Sequence, residues 1–355
     1  AACWLMLLQV ASSSVWSVEK GVEERRVMPF RAPCQLIAST ILVTIVLLSG
    51  AASAKTQPFP VWLEGVRKEA LAKGISAETV TEALDGLEPI ERVIELDRRQ
   101  PEGRMTYREY RDRVLSEQRI ERGRELMKEH KELLDRVAAD YGVQPRFIVA
   151  LWGIETNYGG WSGSTPVIGA LATLAYEGRR AEFFRSELMH ALQILDEGNV
   201  EPENMLGSWA GAMGQSQFMP SSYLRNAVDY DGDGRRDIWG SLPDVFASIA
   251  NYLAKAGWNA RYTWGREVGL PAALGDGLDG LEVRRPLPAW HDLGVRRADG
   301  SPLPVVALDA SLLRTDDGLG PAYLVYQNFR VLMAWNRSTY FGLTVGQLSD
   351  LINHG

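Results

Sequence analysis

Cysteine is almost missing from this chain. Its 355 residues contain two, Cys3 and Cys34, and both stand in a leader-like N-terminal stretch. Beyond Ala54 there is no thiol, which excludes a disulfide framework and leaves stability to core burial or a metal. Histidine is scarce as well: His130, His190, His291 and His354 are scattered and match no zinc spacing. No G-x-S-x-G elbow, P-loop or dinucleotide fingerprint occurs, so no nucleotide partner is expected. Positive charge is in deficit, with 38 Lys and Arg against 45 Asp and Glu and a net charge of −7. That balance argues against nucleic acid or an anionic membrane surface as the main partner. Long apolar runs are missing too. The run from Ile37 to Leu48 is too short for a comfortable membrane span.

That run has a different reading. From Met28 a short basic start, the apolar run and the small residues Ala52-Ser53-Ala54 form a secretory signal over 28–54 with an A-x-A cleavage site. Residues 1–27 read as an upstream extension without a structural role. The chain beyond Ala54 is long enough for a large core and more than one subdomain, and it holds no internal repeat or low-complexity linker.

Helical signals dominate the rest. Helices are expected over 59–73 and 76–85, the second opening at Ser76 with Glu78 in its first turn. A long charged helix is expected over 106–141, and Pro145 opens the next. Thr165-Pro166 reads as a cap and first helical position for a helix to 177. Further helices cover 179–197 and 242–256. From 258 to 324 Pro and Gly become frequent, and "RYTWGREVGL", "LEVRRPL" and "LPVVAL" fit small strands. The tail from Tyr323 returns to helical periodicity. The expected class is α+β and mostly α, with a helical region over 55–140, a core over 141–257, a β-containing insert over 258–324 and a helical return over 325–355.

Three stretches could carry chemistry. In "ALWGIETNYGG" (150–160), on a 100° wheel with Phe147 at zero, Glu155 falls at about 80°, between Leu151 at about 40° and Trp152 at about 140°. A carboxyl at the centre of an apolar sector has its pKa raised and can keep a proton near neutral pH, as a general acid acting on a glycosidic oxygen requires. The bland alternative is a structural glutamate bonded to buried backbone or to an arginine such as Arg179. Gly153, Gly159 and Gly160 suggest open space at the helix end, which favours function. In "GSWAGAMGQSQFMPSSY" (207–223), glycines could admit a ligand, Gln215 and Gln217 suit hydroxyl and acetamido groups, and Trp209, Phe218 and Tyr223 offer faces for sugar rings. A tightly packed loop under the core is the equal alternative.

The third stretch, "DYDGDGRRDIWG" (229–240), places Asp229, Asp231 and Asp233 at positions 1, 3 and 5 of an EF-hand-like calcium loop, with Gly234 at the sharp turn. Arg235 would give its carbonyl. Position 12 is Gly240 rather than Glu, so Asp244 is the candidate last ligand in a longer loop; Ser241 to Asp244 also matches a capping box in outline. The Arg179-Arg180 pair could meet a peptide or lactyl carboxylate, or simply form a solvated helix end.

Together, "ALWGIETNYG", "ATLAYEGRRAEFF", "GSWAGAMGQSQFMPSSY", "DYDGDGRRDIWGSLPDVFASIANYL" and "AWNRSTYF" resemble the lytic murein transglycosylase B family of exported peptidoglycan-cleaving enzymes, from residue 57 to the C-terminus. The resemblance implies a lysozyme-like core with an N-terminal helical domain, a small inserted β domain and one structural calcium. It implies Glu155 as the single catalytic acid and then base. Ser208, Gln217, Tyr252 and Asn336, with Tyr110 and Tyr340, would contact glycan, and Arg179 and Arg180 the stem peptide. Asp229, Asp231, Asp233, Arg235 and Asp244 would hold calcium. The expected activity cleaves the bond from N-acetylmuramic acid to N-acetylglucosamine and leaves a 1,6-anhydro end. Hydrolytic muramidase action, or calcium-dependent wall binding without catalysis, are the alternatives. With no cysteine after the signal to carry a lipid, a soluble periplasmic monomer is expected.

Overall fold

The structure, a computed structural model, describes residues 57–99, 105–177, 179–272, 274–275 and 277–353. The extension over 1–27, the signal over 28–54 and His354 lie outside them.

Local rules set the first helices. α1 (Phe59–Ala72) buries Phe59, Leu63, Val66 and Ala70 on one stripe. α2 (Ala77–Leu84) starts where the Ser76 hydroxyl accepts the Thr79 N–H. α3 (Glu91–Arg98) carries a single fully buried apolar side chain, Val93, and so gives little periodic signal.

The long helix expected over 106–141 is broken into three. α4 (Tyr107–Val114) opens with a capping box between Thr106 and Glu109. α5 (Glu117–Glu129) opens at Ser116, whose hydroxyl accepts the Arg119 N–H. α6 (Lys131–Tyr141) starts after the non-helical His130. Each break redirects a stripe of buried side chains toward the same core, which one straight rod could not do.

α7 (Pro145–Thr156) starts at proline and ends at Asn157 in the left-handed conformation. Every residue from Phe147 to Thr156 is buried, so this helix has no solvent face. It packs against α5, α6 and two later helices, α11 (Leu242–Lys255) and α14 (Thr339–Asn353). Arg146 on α7 pairs with Asp350 on α14, which also accepts the Trp264 indole N–H at 2.9 Å.

Thr165-Pro166 does not cap a helix. It forms strand β1 (Thr165–Pro166), paired antiparallel with β2 (Leu206–Gly207), and α8 (Val167–Glu177) follows. The reason is that the Val167 N–H is taken by the Met205 carbonyl at 3.0 Å, extending the ribbon. α9 (Ala181–Asp196) lies along α8, and α10 (Pro220–Asn226) packs on α9.

The insert forms one antiparallel sheet in the order β4-β6-β7-β3-β5, from β3 (Gly265–Gly269), β4 (Arg285–Pro286), β5 (Arg296–Arg297), β6 (Asp309–Arg314) and β7 (Ala322–Val325). A short helix, α12 (Leu287–Asp292), follows β4. The expected strand "LPVVAL" is not one; the strand begins after it, at Asp309. The expected helical tail likewise begins with β7. The central pair β6–β7 is covered on both faces. Ala310, Leu312, Ala322 and Leu324 join Trp290 and Leu287 in the insert's own core, while Leu313, Tyr323 and Val325 join the main core. A strand buried on both sides loses the alternation that identifies strands. α13 (Gln327–Trp335) and α14 then return the chain to the main core. Among the described residues no helix is long and apolar enough to cross a membrane.

Candidate active site

Glu155 sits in the last turn of α7 and is 4 % exposed. Burial pushes its carboxyl up to about 7, against which one hydrogen bond from the Trp335 side chain acts. That bond runs from the indole Nε1 of Trp335, the last residue of α13, to Glu155 Oε1 at 2.8 Å. Arg179, the candidate structural partner, lies elsewhere: its guanidinium donates to the Asp97 carbonyl and carboxylate, both at 2.9 Å. No second carboxylate among the described residues acts on Glu155.

The helix end is not open in the way its glycines suggest. A Cβ on Gly153 would stand 2.4 Å from the Tyr158 ring, and one on Gly159 would stand 2.3 Å from Gln215 Oε1. Tyr158, at positive φ, folds back to donate to the Arg119 carbonyl at 2.8 Å. These glycines admit protein side chains rather than ligand.

The 207–223 stretch divides likewise. Its glycines abut protein atoms, and Trp209, Phe218 and Tyr223 are buried, so none offers an exposed ring. Gln215 is structural. Its amide accepts the Trp152 indole N–H and donates to the Trp239 carbonyl, both at 2.8 Å, while the Thr156 hydroxyl donates to its backbone carbonyl at 3.1 Å. It therefore joins α7 to the acidic loop.

Gln217 differs. It is held at φ 51, a strained backbone for a non-glycine residue. Its amide N–H groups donate to the Ser162 and Gly214 carbonyls at 2.9 Å, leaving Oε1 buried and unpaired. Its neighbour Phe218 lies 5.3 Å from the Trp335 ring, and Tyr252 4.7 Å from it. The Tyr252 hydroxyl donates to the Ala334 carbonyl at 2.7 Å. Asn336, next to Trp335, uses its oxygen to accept the Ser338 N–H at 3.0 Å and leaves Nδ2 buried and unpaired. Tyr110 on α4 has a buried, unpaired hydroxyl whose pKa is raised by burial and then by the Glu155 charge. Ser208 is buried, its hydroxyl accepting the Ala210 and Ala212 N–H groups at 3.3 and 3.1 Å. Unpaired buried polar groups are rare in native structures. Here Gln217, Asn336 and Tyr110 connect to Glu155 directly or through Trp335 and Phe218.

The remaining expected residues have protein partners of their own. Tyr340 stacks near Tyr107 and Tyr110 and its hydroxyl donates to Asp316 at 3.3 Å. Arg180 packs over Phe184 and stands 3.5 Å from Asp97 without a hydrogen bond from its two terminal nitrogens. Both arginines thus gather at Asp97, at the end of α3. Recesses of about 690 and 420 Å³ lie between α1 and α9 and beside the acidic loop, and Glu155 lines neither.

In the acidic loop, one carboxylate oxygen each from Asp229, Asp231 and Asp244 lies within 4.8 Å of the others. Asp244 is fully buried. Burial raises its carboxyl to about 6, opposed by backbone N–H donors from Tyr230 and Asp237, both at 2.7 Å. Its carboxyl therefore turns into the loop, although the Ser241 hydroxyl does accept the Asp244 N–H at 3.4 Å. Asp233 is outside the convergent set, its carboxylate accepting the Arg235 N–H at 2.8 Å, because the loop closes its own turn there. Three oxygen anions this close, one of them buried, suit a hard divalent cation. Sequence reasoning misses Trp335 and the bracing role of Gln215. One lies beside Asn336 in "AWNRSTYF", the other two residues from Gln217, and neither carries a charge.

The chain matches the transglycosylase SLT domain family over residues 58–350. It is 34 % identical over 250 residues to the membrane-bound lytic murein transglycosylase B of Escherichia coli, a match over 68 % of this chain and 66 % of that one, just under two thirds of the relative's length. Its structure is similar to that of SltB3 from Pseudomonas aeruginosa in complex with NAG-NAM-pentapeptide (TM-score 0.82, 45 % identity, 84 % of this chain and 80 % of that one). It is also similar to the Escherichia coli lytic transglycosylase Slt35 in complex with calcium (TM-score 0.70, 31 % identity, 82 % of this chain and 92 % of that one). The chain is a member of the transglycosylase SLT domain family.

Proposed function

We propose that this protein is a peptidoglycan lytic transglycosylase that cleaves the β-1,4 bond between N-acetylmuramic acid and N-acetylglucosamine and closes a 1,6-anhydro ring. The observation that carries the reading is Glu155: a buried carboxyl raised to about 7 and bonded to one neutral donor, the Trp335 indole. It can hold a proton at working pH and release it, as an acid for a glycosidic oxygen must. The P. aeruginosa relative binds NAG-NAM-pentapeptide and NAG-anhNAM-pentapeptide in its solved complexes, which supports both the substrate and the anhydro product.

Glycosidases that use water or an enzyme nucleophile employ two carboxylates. With one, the substrate supplies the rest. Glu155 protonates the oxygen leaving toward N-acetylglucosamine as the C1–O bond breaks. The muramyl acetamido oxygen stabilises C1, and the Glu155 carboxylate then takes the proton of the 6-hydroxyl as O6 bonds to C1. Gln217 Oε1, Asn336 Nδ2 and the Tyr110 hydroxyl, unpaired in the protein, meet the polar groups of the glycan. Ser208, Tyr252 and Tyr340 complete the glycan contacts, and Arg179 and Arg180 face the stem peptide.

Asp229, Asp231 and Asp244 would hold one calcium, with the Arg235 carbonyl as a further ligand; Asp233 would have to give up the Arg235 N–H its carboxylate accepts in order to join them. A cation held there would neutralise the loop that Gln215 ties to α7. The protein acts in the periplasm as a monomer. Digestion of purified sacculi, with mass spectrometry of the released terminal sugar, tests the reading. A muramyl end lighter by one water than the hydrolytic product is expected; a reducing end would mark a muramidase, and no release would mark a binding protein.

A further inference from the structure

We propose that Trp335 is a positioning residue for the reaction: its indole N–H fixes Glu155 Oε1 as the accepting oxygen, so that the transferable proton resides on Oε2. This rests on Glu155 as the acid. The argument begins with donor chemistry. An indole N–H can donate and cannot accept. With Nε1 2.8 Å from Oε1, Oε1 accepts, and because the carbonyl oxygen of a neutral carboxyl accepts far better than its hydroxyl oxygen, the proton is favoured on Oε2. A carboxyl without such a partner would share its proton between both oxygens and rotate.

The donor is itself held. Trp335 ends α13, its ring lies 4.7 Å from Tyr252 at 63° and 5.3 Å from Phe218, and the Tyr252 hydroxyl bonds the carbonyl of the preceding Ala334. Glu155 is thereby pinned by a residue from the far end of the chain, after the β insert. Tyr110 is a titratable group on which the Glu155 charge acts. Its pKa is pushed above the ordinary range, so it stays neutral, and Arg119 stands behind it. The donor's neutrality matters. An arginine in its place would keep the carboxyl ionised and remove the acid, whereas a neutral N–H leaves the proton bound yet meets the charge that appears once Oε2–H breaks. The same bond then releases the charge again when the carboxylate takes the proton of the 6-hydroxyl.

The test is the pH profile of sacculus cleavage over about pH 5 to 9. Two changes at position 335 are used: Trp335→Phe, and replacement by 3-benzothienylalanine, which keeps the fused ring and puts sulfur where the N–H was. Losing a hydrogen bond to a charged group should move the descending limb to higher pH by about one unit, and lower the optimal kcat by roughly tenfold with KM within about twofold. A limb that stays in place in the benzothienylalanine protein, or moves to lower pH, overturns the proposal, and this isosteric protein decides should the Phe variant fail to fold. Glu155→Gln separates the two layers. If it retains turnover, the acid assignment falls; if it is dead while the limb stays in place, only the role of Trp335 falls.

Discussion

Glu155 and Asp244 are both carboxyls withdrawn from water, and the two regions treat them in opposite ways. Glu155 has one side-chain donor, no neighbouring acid among the described residues, and polar groups around it that lack partners. Asp244 has two backbone donors and two converging aspartates. Burial raises both, yet only one environment invites a proton to come and go. The other gathers negative charge that a divalent cation would settle. Burial of an acid is therefore no sign of catalysis by itself; its partners decide.

The comparison breaks most sharply at the catalytic step. Glu155→Gln should lower sacculus cleavage by a factor on the order of 10³ while glycan binding stays within a few-fold, measured by muropeptide release and a sedimentation assay. Full turnover in the variant would remove the contrast.

The same substitution should stabilise the fold, in one pH window. The folded pKa of Glu155 lies above its value of 4.5 in an unperturbed chain. Between 4.5 and about 7 the folded protein binds more protons than the unfolded one, so stability falls as pH rises through that range and then levels off. The loss is roughly 3 kcal/mol. Glu155→Gln should thus raise Tm near pH 8 and leave it unchanged near pH 4. A gain of equal size at both pH values would show that packing, not charge, is responsible.

The loop should respond to metal instead. Chelating calcium should lower Tm by about 5 °C or more, restored by adding the ion back, and Asp244→Asn should remove that response. An unchanged melting curve would leave the three aspartates as a solvated turn. The smallest effect is expected at the glycan contacts: Asn336→Ala should raise KM for glycan strands by about three- to tenfold with little change in kcat.

Much of this contrast is legible in the sequence. Glu155 stands out because an acid interrupts an apolar helix, and the Asp-x-Asp-x-Asp-Gly spacing marks the loop. Helix starts at Ser76 and Pro145 follow from capping and proline chemistry. What stays hidden has physical causes. Ser116 sits in a charged run where a cap looks like any polar surface residue, so α4, α5 and α6 merge. β6 packs into two cores at once and has no alternation to read. The glycines at 153 and 159 signal close approach without saying of what, and the answer is Tyr158 and Gln215. Asp97, which gathers Arg179 and Arg180, lies too far along the chain to be paired with them by spacing. Trp335 is 180 residues from the carboxyl it bonds.

The most direct measurement is a titration of the Glu155 side-chain carboxyl by carbon-13 NMR in the intact protein. A midpoint near 7 is the predicted result. A midpoint at the ordinary 4.5 would mean the group carries no proton where the proposed reaction must use one.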